Sequence, residues 1–140
     1  MFEKPRHAIQ SLHRRGLLDE GHIDTVAIRK QLNSYASLIE RSSGGNDKRN
    51  YLAEYDALMR LIEVILICSG FRLGNQPHRV LKDVIDAIIP NSGIHDVCDA
   101  RHQAKKLSVE PSAEMRSRLA SIRSRVEAAV RQETKPLLDD

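Results

Sequence analysis

The tightest constraint on this chain is the spacing of its apolar residues between breakers. Gly and Pro fall at Gly16 and Gly21, Gly44-Gly45, Gly70 to Pro77, Pro90 to Gly93, Pro111 and Pro136. Between them, apolar side chains recur three and four residues apart, the repeat of one helix face. No long run alternates at period two, so strands are not expected. A chain patterned this way must bury its helical stripes against one another, and short connections make successive helices antiparallel neighbours. The expected fold is all-α, an up-and-down antiparallel bundle of four to five main helices plus a short N-terminal helix.

The segments can be placed one by one. Pro5 to Arg15 is short, with Pro5 at a first helical position and Ile9 and Leu12 as a thin stripe. Asp24 caps the second segment, which carries Ile28, Leu32, Tyr35, Leu38 and Ile39 on one face. Ser42 to Asn50 reads as a polar turn. The third segment, Asn50 to Ser69, has its stripe widened by Leu61, Val64 and Ile67, which predicts burial on most sides. Gly70 ends it. Pro77 opens the fourth segment, with Val80, Leu81, Val84, Ile85, Ile88 and Ile89 inward, and Pro90 closes it. The fifth, Ile94 to Leu107, carries Ile94, Val97, Cys98, Arg101, Ala104 and Leu107 on one face. The sixth begins at Ser112 or the Glu110-Pro111 pair, with Met115, Leu119, Ile122, Val126 and Ala129 as its stripe. Pro136 to Asp140 reads as a frayed acidic tail.

A length of 140 residues with 41% apolar content suits one domain with one core and excludes large barrel or doubly wound enzymes. The domain is expected over residues 1–140, with 1–22 as an N-terminal extension, 24–131 as the bundle and 132–140 as the tail. Aromatics make up 4% of the chain, which argues against binders that stack bases on ring platforms. The net charge of +3 does not by itself establish nucleic-acid binding. Its make-up says more, because Arg outnumbers Lys roughly two to one and Arg pairs bidentately with carboxylate or phosphate. Cys68 and Cys98 lack metal-ligand spacing and read as buried free thiols of a reducing compartment. Met1 to Arg15 is too charged for a signal peptide, and the apolar run Leu61 to Cys68 is too short to span a bilayer. A cytoplasmic protein without membrane association or cofactor is expected.

Three places hold chemistry. Arg101 intrudes on the apolar stripe of the fifth segment, where its guanidinium needs a carboxylate, a phosphate or a helix terminus. The alternatives are a buried ion pair, for example to Glu63, or a snorkelling surface Arg. His102 follows it and points about 100° away around the helix. His78, Arg79 and Lys82 open the fourth segment, where free amides and the positive dipole end suit an anion. A local loop contact is the alternative for His78. With Lys105, these residues form the candidate ligand- or RNA-binding set: His78, Arg79, Lys82, Arg101 and Lys105. The third place is the last segment, whose Arg116, Arg118, Arg123, Arg125 and Arg131 lie largely outside its stripe. They either track a phosphate backbone or form a solvated face with pairs such as Arg123 with Glu127.

Other chemistries lack their motifs. There is no Gly-rich phosphate loop, no His-Glu-x-x-His pair and no nucleophile elbow. Asp83 with Asp86, and Asp96 with Asp99, are spaced i and i+3 and would hold a metal only with partners from another helix. No metal site is expected, and Asp19-Glu20 reads as a solvated turn.

The order of features resembles a known family. Tyr55 and Ala57-Leu58-Met59-Arg60-Leu61-Ile62 precede a Gly70-Phe71 turn; a His78-Arg79-Val80-Leu81 helix start follows; then comes Arg101-His102-Gln103-Ala104 and an amphipathic closing helix. Over Gln31 to Arg131 this resembles the HEPN superfamily of small helical bundles, named for higher eukaryotes and prokaryotes nucleotide-binding domains. The resemblance implies a bundle of four or five helices that often dimerises. Members include ribonucleases of toxin–antitoxin and phage-defence systems and non-catalytic partners of minimal nucleotidyltransferases. The ribonuclease members carry an Arg, four to six residues, then a His, late in the bundle. Arg101 matches the Arg, but Lys106, Leu107 and Ser108 fill the His window. Arg72 with His78, Arg6 with His13 and Arg15 with His22 meet the bare spacing at places the resemblance does not mark.

Metal-independent RNA cleavage needs a group to take the 2′-hydroxyl proton and a cation to hold the phosphate, and Arg101 suits only the second task. The sequence therefore points to a non-catalytic subunit binding RNA, a nucleotide or a protein partner through His78, Arg101 and His102. It is expected as a homodimer, with a nucleotidyltransferase-like protein as a possible partner. Two alternatives stand beside it: a ribonuclease using Arg101 and His102 as catalytic residues, and a helical adaptor docking a partner helix on its third segment.

Overall fold

The computed structural model describes residues 3–138 and is an all-α bundle of six helices. These are α1 (Glu3–Arg14), α2 (Thr25–Arg41), α3 (Asp47–Cys68), α4 (Pro77–Ile88), α5 (Ile94–Leu107) and α6 (Ala113–Leu138). Two short strands complete it, β1 (Leu18–Glu20) and β2 (Phe71–Leu73).

Local signals set most helix ends. The Asp24 carboxylate accepts from the amides of Val26 and Ala27 at 3.0 and 3.2 Å and starts α2. Asn46, not Asn50, starts α3 by accepting from the Arg49 amide at 2.8 Å. The Asn50 side chain instead reaches back to the amide and carbonyl of Gly45, so the expected turn shortens and α3 gains a turn at its start. Ser108 ends α5 in the left-handed conformation, at φ 53°.

Strands were not expected, and β1 and β2 correct that reading. Leu18 pairs with Leu73, Asp19 with Arg72 and Glu20 with Phe71 in an antiparallel ladder. Three residues per strand are too few to leave an alternating pattern in the sequence. Gly74 approaches the turn before β1 so closely that an added Cβ would stand 2.8 Å from the Leu17 carbonyl oxygen. The ladder ties the segment after α1 to the segment after α3, and Ile9, Leu12, Leu17 and Leu18 are buried in the common core. Residues set apart by sequence as an N-terminal extension therefore help to build the bundle.

The tail differs from expectation as far as Leu138, and Asp139 and Asp140 lie outside the described residues. α6 runs through Pro136 to Leu138, where Leu137 and Leu138 pack against the core and Arg29 donates to the Leu138 carbonyl at 3.1 Å. Burial and this hydrogen bond hold a turn that Pro weakens.

α3 is the central element. Eleven of its residues are buried, including Tyr51, Tyr55, Leu58, Ile62 and Ile65. Its wide stripe is consumed inside the fold by α2, α5 and α6. The adaptor reading placed a partner helix on that stripe, most of which is buried within the fold. One neighbour departs from strict alternation. Asp47 pairs with Arg116 and Glu54 with Arg123, and both pairs are 69 residues apart, so α3 and α6 run parallel. α2 lies antiparallel to α6, with Tyr35 meeting Glu127 and Arg29 meeting Leu138. α4 and α5 form an antiparallel hairpin braced by His95 and Asp86 at 2.9 Å. Among the described residues no helix is long and apolar enough to cross a membrane.

Candidate anion site around Tyr55

The candidate site grows from Tyr55, which α3 carries into the core with its side chain fully buried. A buried phenol needs a hydrogen-bond partner for its hydroxyl. Tyr55 has two: His78 Nδ1 at 2.9 Å and Cys98 Sγ at 3.3 Å. The Tyr55 and His78 rings lie 5.7 Å apart and tilted by 42°. The face of the same phenol ring carries the Arg101 guanidinium, whose central carbon is 4.8 Å from the ring centroid. One tyrosine thus holds a group from α4 and two from α5.

Helical spacing then fills in the charge. Lys82 stands one turn after His78 on α4, and Lys105 one turn after Arg101 on α5. Because the hairpin is antiparallel, the start of α4 and the end of α5 share one end of it. The two basic pairs meet there.

The electrostatics follow. His78 is pushed below the usual imidazole range, first by burial, then by Arg101, Lys105 and Lys82, with Asp56 opposing them. Its position in the first turn of α4 puts it in the positive end of the helix dipole as well. Among the described residues, no carboxylate stands within ion-pair distance of Lys82, Arg101 or Lys105. Arg101 is half-buried, and its Nε is buried without a hydrogen-bond partner. Burial pushes the Tyr55 phenol well above its ordinary range, with the Cys98 contact adding to the effect. Burial also raises the Cys98 thiol, against the Tyr55 hydrogen bond and the Lys82 charge. Neither group is an anionic nucleophile at neutral pH.

The structure brings together four residues of the sequence-derived set, His78, Lys82, Arg101 and Lys105. It leaves His102 and Arg79 exposed, with no side-chain hydrogen bond or ion pair to that group among the described residues. The ion pair suggested between Arg101 and Glu63 is absent; Glu63 takes Arg60 at 3.4 Å, one turn earlier on its own helix. Sequence reasoning placed Tyr55 and Cys98 on core stripes and missed them as site members. The usable signal was the phenol hydroxyl, which a purely apolar stripe leaves unsatisfied.

The basic face of α6 reads differently in three dimensions. Arg116 pairs with Asp47, Arg118 with Asp96 and Glu114, Arg123 with Glu54, and Arg131 with Glu127. Arg123 also donates to the Tyr35 hydroxyl at 2.8 Å, and that hydroxyl bonds Glu127. Four of the five arginines are engaged within the fold, which leaves exposed Arg125 as the member without an ion pair among the described residues. The face that sequence offered as a phosphate track is largely neutralised.

Three of the four paired acids are engaged in the same way. Asp83 meets Arg15 at 3.1 Å, Asp86 meets His95, and Asp96 meets Arg118. Among the described residues no three His, Cys, Asp or Glu side chains come together to hold a metal ion. A cavity of about 610 Å³ lies elsewhere, lined by Arg6, Ile9, Ile23, Cys68, Phe71 and Leu137 among others, and shares no residue with the cationic cluster. No family model, curated protein or solved structure matches this chain.

Proposed function

We propose that this protein is a non-catalytic binding subunit that takes a phosphate-bearing ligand, RNA or a nucleotide, at the His78, Lys82, Arg101 and Lys105 cluster. One observation carries the reading: Arg101 and His78 both meet Tyr55, Lys82 and Lys105 bear on His78 beside them, and Arg101 lies there half-buried with no carboxylate within ion-pair distance among the described residues. The Tyr55 face steadies the guanidinium but leaves its charge and its buried Nε–H unmatched, and an anion supplies that match. Arg101 would supply a planar fork to phosphate oxygens, Lys82 and Lys105 point charges, and His78 a directional N–H donor.

The resemblance to the HEPN bundles adds a setting to this reading. It supports a homodimeric component of a toxin–antitoxin or phage-defence type system, beside a nucleotidyltransferase-like partner, and the two free thiols support a reducing cytoplasmic setting. Sedimentation of the purified chain tests the homodimer, and co-expression with a neighbouring nucleotidyltransferase-like reading frame tests the partner.

Binding is tested with a fluorescein-labelled short RNA carrying a 5′-phosphate, with adenosine monophosphate as competitor. The wild type shifts the anisotropy, and Arg101→Ala with Lys105→Ala weakens binding at least tenfold while the fold persists by circular dichroism. Unchanged affinity in that folded double variant overturns the reading.

A second reading has one observation in its favour. The fold sets His78 beside Arg101, although they do not stand at the family spacing, and a neutral imidazole there has the chemistry of a general base. In that ribonuclease reading His78 takes the place given to His102 in the sequence. Incubation of total RNA in EDTA decides it: cleavage lost in both His78→Ala and Arg101→Ala supports it, and no cleavage by the wild type removes it.

A further inference from the structure

We infer that His78 takes up one proton when a dianion occupies the cluster, so that binding at this site is gated by pH. The inference rests on the anion-site reading above and adds its regulation. Its geometric basis is the relay Cys98 Sγ, Tyr55 hydroxyl, His78 Nδ1, with contacts of 3.3 and 2.9 Å.

A hydroxyl has one proton to donate, so Tyr55 cannot donate to both neighbours at once. When His78 is unprotonated at Nδ1, the Tyr55 hydroxyl donates to that nitrogen and the Cys98 thiol donates to the phenol oxygen. When Nδ1 gains a proton while Nε2 keeps its own, so that the ring is an imidazolium, the Nδ1–H donates to the phenol oxygen, and the hydroxyl proton turns to the Cys98 sulfur. Both arrangements keep every group in the relay bonded. Both also leave the Nε2–H, on the ring nitrogen not held by Tyr55, as a donor. What changes between them is the charge of the imidazole.

That charge is set by the groups around it. From α3 come the Tyr55 hydroxyl and the Asp56 carboxylate; from α4 comes Lys82; from α5 come Cys98, Arg101 and Lys105. With the site empty, burial first and then the three cations oppose protonation, and Asp56 favours it. A bound dianion offsets two of those positive charges, leaves the effect of burial in place, and so shifts His78 toward the imidazolium. The proton comes from solvent, which half-exposed His78 can reach, and forms an N–H bond at Nδ1. No bond to the anion is made or broken.

Sulfate is the probe, because it is a tetrahedral dianion that does not titrate near neutral pH. Titration calorimetry of the full chain from pH 5.5 to 8 gives the affinity, and buffers of different ionisation heat give the protons taken up. We expect sulfate affinity to fall as pH rises across the span between the free and the bound pKa of His78. The slope is at most about tenfold per pH unit, with up to one proton absorbed. His78→Gln binds sulfate with no pH slope, and Tyr55→Phe, folded by circular dichroism, moves the midpoint. A flat profile in the wild type, or the same slope in His78→Gln, overturns the inference and leaves the anion site standing. An unmoved midpoint in Tyr55→Phe overturns the relay. Absence of sulfate binding at every pH overturns both the anion site and its gating.

Discussion

The Arg101 guanidinium sits over the face of the Tyr55 ring, 4.8 Å from its centroid, while the hydroxyl of the same ring holds His78. A cation on an aromatic face is worth about 0.5 to 2 kcal/mol, depending on how far water is excluded. Arg101→Ala is therefore expected to cost about that much in a urea melt. Arg101→Lys keeps the charge but loses the planar stack, so it should fall between the wild type and Ala. Equal stability of all three in urea would show that the stacking contributes nothing.

Tyr35 gives a pH prediction. Burial, reinforced by the hydrogen bond to Glu127, pushes its phenol up to about 12 from 10.0. A folded-state value raised above the unfolded one stabilises the protein fully below pH 10, and that contribution is lost as pH rises through about 12. Tyr51 and Tyr55 are raised in the same direction, chiefly by burial. Absorbance titration should show little tyrosinate until alkaline unfolding, and then all three tyrosines together. Stepwise ionisation near pH 10 in a chain still folded by circular dichroism would contradict this account.

The thiols should be slow. Burial raises Cys68 to about 11, with Glu133 adding to the effect, and Cys98 is raised by burial as well. The thiolate is the reactive form. Labelling by a disulfide reagent at pH 7.5 is expected to run at least about tenfold slower in the native chain than in urea. Equal rates would mean that neither thiol is protected by the fold.

Gly74 reports on the ladder that ties the N-terminal segment down. A Cβ at this position would meet backbone, the Leu17 carbonyl, at 2.8 Å. Gly74→Ala should separate β1 from β2 locally and cost about 1 to 3 kcal/mol, the range for overpacking against a rigid neighbour. Faster amide exchange at Gly21, which donates to the Gly70 carbonyl at 2.9 Å, is the accompanying sign. Unaltered exchange there would show that the ladder relaxes freely.

Polarity periods carried the helices well, and α5 begins at Ile94 and ends at Leu107 in the sequence and in the structure alike. They carried the long-range pairings poorly. Nothing in Leu18 to Glu20 marks it as a partner for Phe71 to Leu73, because that pairing comes from where two turns meet. Arg101 stood out as a charge on an apolar stripe, and it does belong to the cluster. Tyr55 did not stand out, because apolar periodicity counts its ring and ignores its hydroxyl. Of the pairs made by the α6 arginines, Arg123 with Glu127 was legible at i,i+4 spacing, whereas those with Asp47, Glu54 and Asp96 were not, because these partners lie on other helices.

The parallel register of α3 and α6 has a consequence for how the chain is made. α3 is complete at Cys68, but the helix that covers one of its flanks begins at Ala113. During synthesis the most apolar helix of the protein waits, with that flank uncovered, for a partner more than forty residues downstream. Over that interval the nascent chain exposes the surface that chaperones bind and that drives misassociation, so the fold closes late, when α6 docks.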